Sequence, residues 1–158
     1  MASGVWPELR EQVAVEESQL QQLLDLHRPL LEKCLTVEPD AIELSALAAR
    51  LHSFYTGIEN LFRRIALELD GGVTQGSAWH QRLLRQMMEP GTRRPAVLSA
   101  ELHEQLQSYL QFRHVFRSAY SFQLHWDKMA PLVLHCEEVF SALRSELASF
   151  KACMDTSA

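Results

Sequence analysis

The sequence predicts an all-α protein, folded as an up-and-down bundle of four long helices and one short helix. Its aliphatic residues are mainly helix formers, with 25 Leu and 16 Ala against 9 Val and 3 Ile, a bias that favours helices over strands. The 6 Gly and 6 Pro lie mostly between apolar-periodic stretches, which leaves few turns for a β-sandwich or barrel. A length of 158 residues corresponds to about one domain.

The first long helix is predicted from Pro7 to about Val37, where leucines recur at helical spacing with charged residues between them. Pro29 lies inside this stretch. Because proline lacks the backbone N–H and clashes with the preceding turn, we expect a bend near Leu26. We assign residues 1–38 to this N-terminal helix, which packs on a bundle formed by residues 39–154.

The second helix follows the break at Glu38-Pro39-Asp40 and runs to about Leu69. Gly71-Gly72 is expected to end it, because glycine readily adopts the left-handed conformation found after helix C-termini. Ser77 is then predicted to cap a short helix that reaches about Met88.

The last two long helices are predicted from Ser99 onward. Ser99 suits the N-cap of a helix that reaches about Phe122. The final helix begins near Trp126, includes Pro131 within its first turn or so, and continues to about Met154. We expect residues 155–158 to form a disordered tail.

Several protein classes are excluded by composition. No apolar run approaches the length of a membrane span, and charged residues near the start replace the apolar core of a signal peptide. Cys34, Cys136 and Cys153 form no CxxC motif and are an odd number, which indicates reduced thiols that fill the core. The sequence therefore predicts a cytoplasmic protein that does not associate with membranes.

Charge is unevenly distributed along the chain. The net charge of −5 argues against general coating of nucleic acid, but residues 71–123 carry six cations and three acids, whereas the flanking segments are acidic. All six cations are arginines, and arginine is the better bidentate ligand for phosphate oxygens. The middle of the chain is therefore a basic segment suited to a phosphate-containing partner.

Motifs for metals, phosphate loops and catalytic triads are missing. The spacing of Gly71 and Gly76 matches a P-loop, but Ser77-Ala78 stands where Lys-Ser/Thr is required. The seven histidines include no Glu-x-x-His, His-x-x-x-His or His-x-His pattern, and no Gly-x-Ser-x-Gly elbow is present. We therefore expect neither a metal nor a cofactor.

Arg113 is the residue of greatest chemical interest. At the helical angle of about 100° per residue, it lies within the apolar stripe of the fourth predicted helix, made by Leu102, Leu106, Tyr109, Phe116 and Tyr120. Burial of an unpaired guanidinium costs several kcal/mol. Arg113 must therefore either pair with a carboxylate, such as Glu59, or face an opening where it meets solvent and ligand.

The neighbouring faces of this helix indicate a polar surface and a second apolar surface. His114 and Ser118 are four residues apart and therefore stack one turn above the other, beside Arg117. Phe112, Val115, Ala119 and Phe122 make a further apolar face, which either packs inside the bundle or forms a symmetric homodimer. A two-fold axis here would bring two copies of Arg113 and His114 together.

The stretch from Phe112 to Tyr120 resembles the signature helix of the HepT-like toxins of the HEPN superfamily, whose motif is Arg, four residues, His, one residue, Tyr. Arg113 and Tyr120 match the arginine and tyrosine of the motif, and Ser118 stands at its histidine position. Three further segments also look like landmarks of a HepT-like subfamily: residues 54–59 (FYTGIE), residues 78–80 (AWH) and residues 94–97 (RPAV).

The resemblance implies a HEPN-like bundle over residues 39–154 and a homodimer that cleaves RNA without a metal in a cleft at the interface. It implies catalytic roles for Arg113, His114 and Ser118, because histidine can exchange the ribose hydroxyl proton and arginine can hold phosphate. Basic residues that would contact RNA are Arg117, Arg93 and Arg94. The family pairs such toxins with a small nucleotidyltransferase antitoxin, which would attach AMP to Tyr120.

Two other functions remain open from the sequence. With Ser118 in place of the motif histidine, the chain is alternatively a catalytically inactive HEPN-type module that binds or regulates a partner as a dimer. It is also compatible with a helical scaffold unrelated to toxins. Each site residue also has a structural alternative. Arg113 pairs with Glu59 or another acid of the second helix, His80, His103 and His125 lie at the surface or at the edge of the core, and Arg93 and Arg94 are solvated loop charges.

Overall fold

A computed structural model describes residues 4–117, 120 and 123–157 of the chain. Within these residues the fold is all-helical, as predicted, and contains six helices and no strand. The helices are α1 (Trp6–Leu26), α2 (Arg28–Cys34), α3 (Ala41–Leu69), α4 (Trp79–Met88), α5 (Ala100–Phe116) and α6 (Trp126–Ser157). The predicted count of four long helices and one short helix is therefore wrong by one.

The additional helix results from a break in the N-terminal segment. The expected bend near Leu26 is present, but it separates the segment into α1 and α2 at His27. Pro29 cannot donate a hydrogen bond to the carbonyl of Asp25 four residues earlier, so the helical ladder cannot continue through this point. Sequence reasoning located the discontinuity and underestimated its extent.

Arg50 supports the end of α1 from inside the core. Its guanidinium is fully buried, and Nη1 donates to the carbonyl of Leu24 at 3.0 Å. Carbonyls at a helix C-terminus carry partial negative charge, so they favour a cation at this position. No described carboxylate pairs with Arg50. Its positive charge is instead compensated by the carbonyl groups at the C-terminal end of α1.

Helix α3 is the centre of the bundle and packs against α1, α4, α5 and α6. It begins with a capping box, in which the Asp40 carboxylate accepts from the Glu43 N–H and the Glu43 carboxylate accepts from the Asp40 N–H. It ends where predicted, at Leu69, just before Gly71 (φ +80°) and Gly72 (φ +145°). Most of one side of α3 is buried, and this side includes Tyr55 and Glu59.

Helix α4 and helix α5 differ in how well their starts were predicted. The expected Ser77 cap is wrong: α4 begins at Trp79 with Ala78 at the N-cap, and no side chain caps it. Ser99 is confirmed as the N-cap of α5, since its hydroxyl accepts from the Leu102 N–H at 3.1 Å. The expected extension of α5 to about Phe122 is wrong as well, because α5 ends at Phe116.

Helix α6 continues through residues 155–157, which we expected to be disordered. Asp155 accepts hydrogen bonds from Trp6 Nε1 at 2.8 Å and from Arg10 Nε at 3.2 Å, and the Trp6 ring lies edge-on to Phe150 at 5.7 Å. These contacts explain why the last turn of α6 is ordered: it packs on the start of α1. Residue 158 lies outside the described residues.

The three cysteines occupy two kinds of environment. Cys34 and Cys136 are buried, as expected for residues that fill the core, whereas Cys153 is exposed. Burial raises the pKa of the Cys136 thiol to about 12, which keeps it protonated and unreactive at neutral pH.

Candidate functional site

Arg113 is buried and pairs with a carboxylate, which was one of the two alternatives that its position predicted. Its side chain comes from the last turn of α5 and is 5% exposed. Nη1 donates to Glu59 Oε1 at 3.1 Å, and Nη2 donates to Glu59 Oε2 at 3.0 Å. This bidentate arrangement is the strongest form of an arginine–carboxylate contact. It uses both terminal nitrogens of the guanidinium group.

Two other residues of α3 enclose the Arg113 guanidinium. Thr56 Oγ1 accepts from Nη1 at 3.4 Å, and the guanidinium carbon lies 4.9 Å from the centre of the Tyr55 ring, which is a cation–π contact. Burial raises the pKa of Tyr55 above its usual value, so this ring remains neutral. One helix therefore supplies three partners to Arg113: the adjacent residues Tyr55 and Thr56 and, one turn later, Glu59.

His80 completes the group at the start of α4. Its Nδ1 lies 2.7 Å from Glu59 Oε2 and 2.8 Å from Arg113 Nη2. One ring nitrogen cannot donate to Glu59 and accept from Arg113 at once, so the tautomer of His80 decides which bond forms. We call Tyr55, Thr56, Glu59, His80 and Arg113 the Arg113 cluster.

His80 was missed as a site residue by sequence reasoning, which placed it at the surface or the edge of the core. Its side chain is 27% exposed and packs on the neighbouring Trp79 ring, with centroids 3.7 Å apart. A signal was present in the sequence. Two of the landmark segments of the family resemblance, residues 54–59 and 78–80, contain every member of the cluster other than Arg113.

The remaining residues predicted at the motif helix are not part of the cluster. His114 is exposed, and no hydrogen bond or ion pair joins it to Arg113. Arg117 is exposed at the C-cap of α5. Tyr120 is 69% exposed and lies beyond the helix, so it does not extend the buried stripe. Ser118 lies outside the described residues.

Arg94 is a structural residue in the loop before α5. Its side chain is 1% exposed; Nε and Nη2 donate to the two Asp70 carboxylate oxygens at 2.8 and 2.7 Å. The remaining N–H groups donate to the carbonyls of Gln86, Glu89 and Pro95. All five donors are satisfied, so contact of Arg94 with RNA would require these bonds to break. The predicted RNA-binding role of Arg94 stays a prediction.

A protein-family model described as HepT-like protein matches residues 46–154. The chain belongs to the HepT-like family. Its membership relates it to the HEPN-type proteins of toxin–antitoxin systems. No curated protein and no solved structure matches the chain.

The region of the HepT-like match includes all the residues of the Arg113 cluster and the Asp70–Arg94 pair. The family segment therefore contains two buried arginine–carboxylate pairs, which join α3 to α5 and α3 to the loop after α4. The two ion pairs also reduce the positive charge of the basic segment, residues 71–123, because two of its six arginines are neutralised inside the fold. The other four, Arg82, Arg85, Arg93 and Arg117, are exposed.

The described part of this HepT-like chain contains no group of three or more His, Cys, Asp or Glu side chains placed to hold a metal ion. None of the helices within these residues combines the length and apolar character needed to cross a membrane.

Proposed function

We propose that this HepT-like chain is a homodimeric binding module of a toxin–antitoxin pair, which binds a small nucleotidyltransferase antitoxin in the cytoplasm and does not cleave RNA. The observation that carries the proposal is the closed ion pair between Arg113 and Glu59. Both terminal nitrogens of the guanidinium are directed at this carboxylate, and the side chain is almost completely buried.

The pairing opposes a role for Arg113 in holding phosphate. A phosphate would have to displace Glu59, which would leave a buried carboxylate without a counter-charge at a cost of several kcal/mol. The sequence supplies a second argument, because Ser118 stands where the family motif has its histidine. A serine hydroxyl does not titrate near neutral pH and cannot replace histidine as a proton acceptor.

The exposed end of α5 is the surface that we propose for protein partners. His114, Val115 and Arg117 are exposed there, and Phe112 and Phe116 stack beneath them with centroids 6.0 Å apart. Exposed apolar and basic side chains around packed aromatic rings are typical of interface centres. We assign the homodimer contact to this surface and the antitoxin contact to Tyr120 beside it.

The first test is RNA cleavage. Purified protein is incubated in EDTA with single-stranded RNA and with transfer RNA, and we expect both to remain intact at high protein concentration. A Ser118→His variant restores the motif histidine and serves as the matched probe. If Glu59 holds Arg113 away from phosphate, this variant also leaves RNA intact. Cleavage by the unsubstituted protein would overturn the proposal, and cleavage by the variant alone would assign the inactivity to residue 118.

Tyr120 provides a test of the antitoxin contact. When the protein is mixed with its cognate nucleotidyltransferase and ATP, we expect the Tyr120 hydroxyl to attack the α-phosphate, release pyrophosphate and gain AMP, which intact-mass spectrometry detects. Tyr120→Phe should abolish the mass increase. Tyr109→Phe should keep it, because the Tyr109 hydroxyl is bonded to the Leu132 carbonyl at 2.7 Å. Equal incorporation in both variants would contradict the assignment.

A metal-independent endoribonuclease is the second candidate, and His80 is the observation that favours it. A carboxylate that orients a histidine next to a guanidinium is an arrangement capable of general base catalysis. Under this function Arg113 and His114 act with His80, and Arg93 and Arg117 contact RNA. Cleavage would then be lost in His80→Gln and retained in His103→Gln, which removes a histidine outside the Arg113 cluster.

A further inference from the structure

The connection between α2 and α3 exposes three large aliphatic side chains. Leu35 is 71% exposed, Val37 is 52% exposed, and Ile42, in the first turn of α3, is 83% exposed. Single exposed aliphatic residues are ordinary, but several of them on one short connection are typical of an interaction surface. These residues precede the HepT-like segment at residues 46–154, so family membership assigns them no role.

Local hydrogen bonds fix the backbone of this connection. The N–H groups of Thr36 and Val37 both donate to the Lys33 carbonyl, at 3.1 and 2.9 Å. The Lys33 side chain then joins α2 to the start of α3, because its Nζ lies 2.8 Å from Glu43 Oε2. Glu43 is itself held by the capping box of α3. The three aliphatic side chains are therefore exposed by an ordered turn.

Acidic residues flank these aliphatic residues in the sequence. Glu32 and Glu38 are exposed, and no described cation pairs with either carboxylate. The basic residue within residues 32–43 is Lys33, whose charge is neutralised by Glu43. We define the acidic patch as the three aliphatic residues and these two acids: Leu35, Val37, Ile42, Glu32 and Glu38. Because the patch combines aliphatic groups with negative charge, it favours a partner surface that combines aliphatic groups with positive charge.

The end of α5 has this complementary character. His114, Val115 and Arg117 are exposed there, and we call these three residues the basic patch. Arg117 carries a permanent positive charge, and His114 offers a ring N–H donor. No described carboxylate pairs with Arg117. Val115, which is 59% exposed, supplies the aliphatic group. The chain therefore contains both halves of a complementary pair of surfaces.

The two patches lie at the same end of the bundle. The His52 ring of α3 contacts Phe116 at the end of α5, with centroids 5.7 Å apart. Ile42 precedes His52 on the same helix, at a separation of about 15 Å along the helix axis. A standard interface covers about 800 Å² of each partner, which corresponds to roughly 30 Å across. One interface is therefore large enough to include both patches.

We infer that, in the homodimer, the acidic patch of each copy packs against the basic patch of the other copy. A two-fold axis between the patches makes this contact twice, because each contact of an isologous interface is repeated with the roles exchanged. Direct contact between the two α5 ends would instead place Arg117 beside Arg117, and like charges oppose association. This inference rests on the proposed homodimer and deepens it, since it names the surface that the end of α5 contacts.

The test is charge reversal followed by mixing. Glu32→Arg/Glu38→Arg and His114→Glu/Arg117→Glu should each weaken the dimer by about 10-fold or more, because like charges then face each other in both contacts. A 1:1 mixture of the two variants should form a heterodimer, because one of its contacts is native and the other has both charges reversed. Sedimentation equilibrium measures the dissociation constants, and native mass spectrometry identifies the heterodimer by its mass.

A matched control separates local contact from overall charge. Glu8→Arg/Glu11→Arg makes the same change in net charge with two exposed acids of α1. Because α1 and α3 are antiparallel, these acids lie at the opposite end of the bundle from the acidic patch. We expect this variant to keep the dissociation constant of the unsubstituted protein within about 2-fold.

The aliphatic part of the contact is tested separately. Ile42→Ser should weaken the dimer by about 10-fold or more, which is the effect of losing one buried aliphatic side chain. Val15→Ser should leave the dimer unchanged, because it removes an exposed aliphatic side chain of α1, 55% exposed, outside both patches. Thermal melting checks that every variant is folded.

Three results would overturn the inference. If the unsubstituted protein is a dimer and Glu32→Arg/Glu38→Arg dimerises equally well, the acidic patch is not in the interface, and the proposed homodimer still stands. If both charge-reversed variants are weakened and their mixture forms no heterodimer, the two patches do not contact each other. If the unsubstituted protein is a monomer at about 0.1 mM, the inference and the proposed homodimer fail together. RNA cleavage and AMP transfer to Tyr120 are tested independently of all three.

Discussion

Replacement of Glu59 by glutamine is expected to lower the free energy of unfolding by about 3–5 kcal/mol, the usual cost of removing one partner of a buried ion pair. The amide keeps the shape of the carboxylate and removes its charge. Arg113 would then remain buried with Thr56, His80 and the Tyr55 ring, none of which carries a negative charge that compensates it. Urea denaturation followed by circular dichroism measures the difference.

A double variant separates the cost of the unpaired charge from the cost of lost packing. Glu59→Leu combined with Arg113→Met removes both charges and keeps most of the volume, so it should be destabilised by less than the sum of its single variants. A loss below about 1 kcal/mol in Glu59→Gln would indicate that water reaches the Arg113 guanidinium. That outcome would also remove the main support for the binding-module function.

The second large effect is expected in the loop before α5. Arg94→Ala should lower the free energy of unfolding by about 3–5 kcal/mol, because Asp70 loses its counter-charge and three carbonyls lose their donors. Among the described side chains, Asp70 then retains the Gln86 amide alone, at 2.7 Å. The last turn of α3 and the loop would separate, and the thermal midpoint would fall accordingly.

Arg93 is the matched control for this prediction, since it is the preceding residue in the same loop. Its side chain is exposed, and its Nη1 contact with the Glu68 carbonyl is long, at 3.4 Å. Surface substitutions of this kind usually change stability by no more than about 0.5 kcal/mol. Similar losses for Arg93→Ala and Arg94→Ala would contradict the structural role of Arg94.

The helices of this fold were predictable from local sequence patterns. The residues at which they begin, break and end were less predictable. Leucine spacing identified the helical segments. The glycines correctly marked the end of α3, and Ser99 correctly marked the start of α5. Pro29 located the break in the N-terminal segment. The start of α4 was misplaced because Ser77 is a favourable cap by residue type, while the chain turns into the helix one residue later.

The candidate site was predictable from the sequence only at Arg113, because burial of its charge requires a partner of opposite charge. A guanidinium on an apolar stripe requires a carboxylate, so Glu59 could be named as its partner from the sequence. His80 could not, because it lies in another helix and its position depends on how α4 packs on α3. The burial of Arg94 was not predicted for a similar reason: its partner Asp70 is 24 residues away, and a loop arginine is usually solvated.

The contact between Trp6 and Asp155 has a consequence for the topology. Because the first turn of α1 and the last turn of α6 are hydrogen-bonded to each other, a short flexible linker would join the two ends of the fold without displacing either helix. The backbone would then be reopened in the exposed glycine turn between α3 and α4, to give a circular permutant that retains the native packing.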